Sequence, residues 1–566
     1  MVATREETQR QSQGTTRRYR EPTWWAVATV LAGAVLMLCY LRVAGAVAVN
    51  SDGGAAVLQA ADMLHGNLLL HGWWGADVSF VTTELPEYMA VTAAAGVRPE
   101  VVDVCAALTY TLLVLLAAFV ARGRARGAEG VVRALLAAVV MLAPQPTTVL
   151  LGSPDHVGTA APLLALLLGL GWAQDSAARA RWLVPCCVTV LLGWTVVGDP
   201  LTVVVGVVPL TLACLLRAGR VIAARRAAWY ESSLAAAAVI AVFVAHVVNS
   251  LITEHHGYKL AAPSYHWLTW HRIAADAPMV WPSVLVLFGA DYTTVTGARN
   301  VAFALAHLAG VALVAAAVAF AAWRLIRPSR SAPRGDLVAD VLVLAIMANM
   351  AGYLLLVPID RIYSAHEIGP VVALGAALTG RMLGGPLLRV RAGRAGSRLR
   401  PRLLPLRPAL AGRPWRGTPV LLPALAAGLA GYVLLLGVAT AFPQRPPESA
   451  QLTAWLRRHH LHGGLAPYWQ ASSVTLDSGG TITVLPLSHD RKNRLALDAW
   501  LADGRLAAPG RHTASFVIVM PKQVIGRKIV VNTFGEPART YHYGAYTIMV
   551  WRKNLLRTLD AAVRPA

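Results

Sequence analysis

Charge is scarce in this sequence, and negative charge scarcest: 14% of the 566 residues are charged, with 29 acids against 51 bases. A chain so poor in charge and 56% hydrophobic cannot be one water-soluble domain, because its apolar surface exceeds what a single core can hide. Cysteine is rare as well. The five residues Cys39, Cys105, Cys186, Cys187 and Cys214 all fall in apolar runs. That excludes a disulfide-stapled exterior and a CxxC metal centre, and leaves them as small packing residues. Nor does the net charge of +22 point to nucleic acid. The Arg residues gather in short segments between apolar runs, the pattern of loops retained on the cytoplasmic side of a membrane.

What is there is a series of apolar runs, each a candidate crossing of the roughly 30 Å hydrocarbon layer. After a polar tail, 1–22, read as disordered, the runs fall at 24–47, 101–121, 132–151, 157–173, 182–197, 201–216, 233–252, 300–323, 337–357, 367–383 and 419–442. The sequence therefore predicts an α-helical polytopic membrane protein of about eleven transmembrane helices. The shorter piece Val280 to Ala290 cannot cross and is read as interfacial or re-entrant. Every Arg cluster then lands on one side with the N-terminus, including the loop 384–418, which holds nine Arg and no acid. That basic loop is read as solvated at the anionic inner leaflet.

From Pro443 the composition becomes that of a small exterior α/β domain, 443–566. Helical patterns are expected at Ser449 to His462 and Arg494 to Asp503, and strands at Thr481 to Leu485, Ser515 to Met520, Arg539 to Tyr543 and Tyr546 to Trp551.

Acids and histidines collect on the exterior side. The first exterior loop, 48–100, carries Asp52, Asp62, Asp77, Glu84 and Glu87, with no Lys or Arg from Asn50 to Tyr88. A carboxylate at the end of a span, partly desolvated, is suited to take a proton from a hydroxyl. Asp52 and Asp155 stand at such ends, each beside Gly or Pro, and Asp155 is followed by His156; Glu84 is a further candidate. Asp199, in Gly198-Asp199-Pro200, is also an ordinary turn signal. Lys259, Arg272, Arg361, His366 and Glu367 lie in later exterior pieces, where cations suit a lipid phosphate. The histidines lack a recognised zinc-ligand spacing.

The stretches Asn50-Ser51-Asp52-Gly53-Gly54, Asp62 to Asn67, Gly72-Trp73-Trp74, Ser79 to Tyr88, Ser153-Pro154-Asp155-His156 and Tyr468-Trp469-Gln470-Ala471 sit in a distinctive order. A short basic tail and one span precede a long acidic exterior loop with an early Asp; a second Asp follows in a short exterior loop, and the chain closes with an exterior domain. This layout resembles the GT-C superfamily of polyprenyl-phosphate-sugar-dependent glycosyltransferases, in particular actinobacterial integral membrane proteins. The resemblance implies a sugar moved from a polyprenyl-phosphate donor to an acceptor hydroxyl of a cell-envelope glycan, lipid or protein, on the outer face of the cytoplasmic membrane. It places the catalytic base on Asp52, and on Asp155 the task of holding acceptor or metal. Asp52 has no adjacent acid, flanked as it is by Ser51 and Gly53, which leaves a divalent metal ion open as a cofactor.

Two rival readings stand beside the transferase: a transporter of lipid-linked sugars, which would want acids in mid-span, and a non-catalytic envelope scaffold or sensor. The Arg alternation makes a topological prediction. Reporter fusions should place the N-terminus and the Arg389 to Arg416 loop in the cytoplasm and His489 outside. A cytoplasmic signal from a fusion after Trp551 would overturn the assignment of sides.

Overall fold

Backbone amides in lipid find no water to bond, so apolar runs of this length close their hydrogen bonds internally as helices. The computed structural model describes residues 3–141, 148–151, 156–173, 178–225, 227–261, 266–293, 295–327, 335–359, 363–396, 430–431, 433–438, 440–441, 449–489, 494–521 and 525–559. The membrane part runs α1 (Ala3–Ala44), α2 (Ser51–Leu64), the short strand β1 (Trp73–Trp74), α3 (Leu85–Ala95), α4 (Glu100–Arg122), α5 (Gly127–Val140), α6 (Thr148–Leu151), α7 (Ala160–Ala173) and α8 (Ala178–Gly198). It continues through α9 (Val208–Ala223), α10 (Trp229–Glu254), α11 (Trp270–Leu287), α12 (Ala298–Ile326), α13 (Leu337–Leu356) and α14 (Pro370–Gly396).

Of the eleven expected runs, seven form helices long and apolar enough to cross a membrane among the described residues. The other four differ for local reasons. The run at 132–151 is covered by α5 and the four-residue α6, with 142–147 outside the described residues. α7 is only 14 residues long, the apolar helix Trp182–Gly198 within α8 is likewise shorter than a full crossing, and 419–442 lies mostly outside the described residues. The segment read as a disordered tail is helical from Ala3, continuous with the first span. The piece expected at 280–290 begins ten residues earlier, as α11, with Pro278 and Pro282 inside it. Trp267, Trp270 and Trp281 around it are exposed, and an amphipathic indole favours the membrane–water boundary.

The C-terminal domain comprises α15 (Ala450–Arg458), β2 (Gly463–Pro467), α16 (Tyr468–Asp477), β3 (Thr483–His489), β4 (Leu495–Leu497), β5 (Ala502–Asp503), β6 (Phe516–Val519), α17 (Arg527–Phe534), β7 (Arg539–Tyr543) and β8 (Tyr546–Val550). Six strands form one sheet in the order β4-β3-β2-β6-β8-β7, with β2 parallel to both β3 and β6 and the remaining pairs antiparallel. Alternating strand residues feed two cores. Leu465, Leu485, Val517 and Met549 pack with Val530 and Phe534 of α17. Val484, Phe516, Ile518 and Ile548 pack with Leu452 and Leu456 of α15 and Val474 of α16. The expected helix at Arg494 to Asp503 is a correction: the segment holds β4 and β5 instead. Leu495, Ala496 and Leu497 are all buried, and pairing with β3 outweighs their helix preference.

This domain is fastened to the first loop, so the two share one end of the bundle. α16 packs on α2, where the Ser51 hydroxyl donates to the Tyr468 carbonyl at 2.5 Å and accepts from the Ser472 amide at 3.2 Å. β1 pairs antiparallel with β5, and Arg505 reaches Asp62 at 2.8 Å. The approach is so close that a Cβ on Gly54 would lie 2.9 Å from the Ser472 carbonyl. Gly54→Val should therefore destabilise the docked domain by roughly 1–3 kcal/mol, the usual cost of overpacking. Limited proteolysis in detergent reads this as faster release of the C-terminal domain; unchanged protection would show that the helices do not meet here.

Candidate functional site

The loop that follows β1 is tied to the end of α8. The Ser79 and Phe80 amides donate to the Gly198 carbonyl at 3.2 and 2.9 Å, and the Trp194 indole donates to the Thr82 carbonyl at 2.6 Å. These bonds carry Glu84 to Asp199 and set Phe80 edge-on to His156, with ring centroids 5.9 Å apart. His156 itself adopts φ 57°, a left-handed conformation that a non-glycine residue holds only where its surroundings enforce it.

A buried acid–imidazole cluster results. His156 Nδ1 lies 2.8 Å from Asp199 Oδ2, and the Thr159 hydroxyl donates to the same oxygen. The other carboxylate oxygen, Oδ1, accepts from the Leu201 amide at 2.9 Å. Asp199 is wholly buried, where a carboxylate is costly unless hydrogen-bonded in this way. On its far side His156 presents Nε2 to Glu367 Oε2 at 3.7 Å, while His366 Nε2 lies 3.5 Å from Glu367 Oε1. The two imidazoles lie parallel, 6° apart. The Asn349 side chain donates to the Glu367 carbonyl at 3.0 Å, and Tyr353 bonds Ser364 at 2.8 Å, which steadies the 3-10 turn Tyr363–Ile368.

One ligand atom from each of His156, His366 and Glu367 lies within 4.8 Å of the others. Two imidazoles and a carboxylate suit a divalent transition ion. Asp199 on Nδ1 is the outer partner that would leave Nε2 free as a ligand. The donor set therefore fits a metal, although the spacing of these histidines in sequence gives no sign of it.

Glu84 sits against this cluster, and a Cβ on Gly158 would lie 2.4 Å from its Oε1. Burial pushes its carboxyl up to about 8; the Thr83 hydroxyl pulls the other way, and the Asp199 carboxylate adds to the rise. At neutral pH Glu84 is thus mostly protonated and suited to donate a hydrogen bond rather than to act as a base. Glu87, beside Thr109, is pushed by burial to about 7.

Asp52 stands in the first turn of α2, capped by Asn50, whose side chain accepts from the Gly53 amide at 2.9 Å. It is half-buried, and its Oδ1 accepts from the Tyr468 hydroxyl of the C-terminal domain. Tyr468 belongs to a stretch that the sequence singled out without assigning it a task. Ten residues on, Asp62 accepts from the Trp73 indole at 2.8 Å, the Asn67 amide at 2.5 Å and Arg505 at 2.8 Å. Those hydrogen bonds hold its carboxyl below the usual range despite partial burial.

The structure thus brings together Glu84, His156, His366 and Glu367, and adds Asp199 at the centre. Asp155 and Arg361 lie outside the described residues. Arg272 is committed to an ion pair with Asp276 at 2.8 Å, and Lys259 is exposed, its backbone bridged to Trp74.

The sequence matches no protein-family model, and no curated protein sequence matches it. Solved structures do resemble the fold. ArnT from Cupriavidus metallidurans in the apo state is 13% identical, with 95% of this chain and 99% of that chain covered and a TM-score of 0.56. The same protein bound to undecaprenyl phosphate gives 14% identity, 94% and 99% coverage and a TM-score of 0.52. The chain has a GT-C-like fold. The archaeal oligosaccharyltransferase AglB from Archaeoglobus fulgidus, in complex with an inhibitory peptide and a dolichol-phosphate, is more distant at a TM-score of 0.47, with 13% identity over 88% of this chain and 70% of that one.

Glu84 supplies a pH test. Its folded pKa is raised above the unfolded value near 4.3, so its contribution to stability is fully present below that value. The contribution declines as pH rises towards about 8 and is lost beyond. The thermal midpoint should fall across this window, and Glu84→Gln should flatten the dependence. An unchanged profile in Glu84→Gln would show that Glu84 is not the titrating group.

Proposed function

We propose that the chain is a membrane glycosyltransferase that moves a sugar from a polyprenyl-phosphate donor to an acceptor hydroxyl at the outer face of the cytoplasmic membrane. The observation that carries this reading is a half-buried carboxylate, Asp52, at the end of the bundle that also holds the buried His156–Asp199 pair and the half-buried Glu367. Both sit on a fold like that of ArnT, for which a complex with undecaprenyl phosphate is known. Acids within the spans lie near helix ends rather than in mid-span, which favours a transferase over a transporter. A buried carboxylate–imidazole–carboxylate chain is more than a scaffold needs for docking alone.

In this mechanism the acceptor oxygen attacks the anomeric carbon while Asp52 takes the hydroxyl proton. The bond from that carbon to the phosphate oxygen breaks, and polyprenyl phosphate leaves with the electron pair. The single displacement inverts the anomeric centre. Tyr468, donating to Oδ1, orients the Asp52 carboxylate. His156, His366 and Glu367 would hold a divalent ion, which supplies positive charge for the departing phosphate. Glu84, protonated, contributes a neutral donor beside them. Arg361 is proposed as a further phosphate ligand.

Asp52→Asn keeps size and hydrogen-bonding capacity but removes the basic oxygen. At matched expression it should lower transfer by about 10²- to 10⁴-fold, read by chromatography of envelope glycans from a deletion strain complemented with each form. Wild-type glycans from Asp52→Asn would exclude Asp52 as the base.

A further inference from the structure

Towards the N-terminal end of α13, roughly 15 Å along the helix from Asn349, which bonds the Glu367 carbonyl, lies a cavity of about 280 Å³. It is lined by Arg220, Arg324 and Arg327 together with Trp323, Asp336 and Asp340. The two carboxylates are already matched. Arg381 chelates Asp336 through Nε at 2.6 Å and through a terminal nitrogen at 2.9 Å, and Arg217 faces Asp340 at 3.7 Å. With Glu231 beside Arg217 counted, five guanidinium groups stand against three carboxylates, and the excess lies with the arginines of the wall.

These arginines are set in place by the fold. Arg220 donates to the Leu325 carbonyl at 2.6 Å, which ties α9 to the last turn of α12. The Arg324 guanidinium lies 6.0 Å from the Phe320 ring centroid, and Phe320 stacks on Trp323. Trp323 and Ile326, beside the mouth, are exposed at 53% and 78% and offer apolar surface where an acyl chain would run. A cationic cavity with an apolar flank at one end of a membrane bundle matches one kind of ligand: an anionic phosphodiester that carries hydrocarbon. Guanidinium groups bind phosphate oxygens through paired charge-assisted hydrogen bonds, and these strengthen where water is scarce. We propose that this cavity holds the headgroup of an anionic membrane phospholipid. The site is separate from the acid–imidazole cluster, and the proposal is independent of the transfer reaction.

The test is native mass spectrometry and thermal unfolding of the full chain in detergent, with phosphatidylglycerol, phosphatidylcholine or inorganic phosphate added. Phosphatidylglycerol alone should remain bound and raise the unfolding midpoint. Arg324→Gln with Arg327→Gln should weaken that binding by roughly tenfold or more without moving the midpoint in phosphatidylcholine. Arg327 is exposed at the C-cap of α12, so Arg327→Gln alone gives a second reading, a smaller loss in the same direction, should the double variant not fold. Equal stabilisation by phosphatidylcholine or by inorganic phosphate would overturn the proposal, as would phosphatidylglycerol binding unaltered in the variants.

Discussion

A tyrosine hydroxyl laid on a carboxylate joins two parts of the chain 416 residues apart, Tyr468 of the C-terminal domain and Asp52 of the first loop. The rest of that end of the molecule depends on this junction. A carboxylate at the rim of an apolar bundle is costly unless hydrogen-bonded, and a short α/β domain on a membrane surface has little to hold it unless it docks. Each solves the other's difficulty. Ser51 extends the contact to the Tyr468 carbonyl, Gly54 lets the helix backbones approach, and Arg505 closes the far side on Asp62.

The buried cluster is governed by the same constraint. Asp199 is accommodated in a wholly buried place because His156, Thr159 and the Leu201 amide all point at it. Glu84, a few bonds away and without comparable support, takes the alternative and holds its proton. At the other end of the bundle the signs reverse, with arginines in excess around the cavity at Asp336 and Asp340.

Much of this was legible in the sequence because membranes impose simple rules. Apolar runs give the helical bundle; Glu84, His156, His366 and Glu367, each singled out for its exterior position, come together in the fold. What remained hidden depends on contacts between distant segments. Asp199 looked like a turn former because its partner His156 lies 43 residues away, and periodicity carries no trace of such a pair. Tyr468 was marked by resemblance, yet its target could be known only from the docked domain. Arg494 to Asp503 failed for the same reason: a helical pattern was overridden by a strand partner, β3, and by the pairing of β5 with β1.

The central claim is that Asp52 and the His156–Glu367 cluster serve one lipid-linked substrate. An experimental structure of the full chain in lipid nanodiscs with a polyprenyl phosphate bound tests it most directly. The account predicts the phosphate at the rim between these groups, with an oxygen close to His156, His366 or Glu367 and with Asp52 facing the space above it. A phosphate bound on the far side of the bundle, or a protein layer separating Asp52 from the cluster, would contradict it.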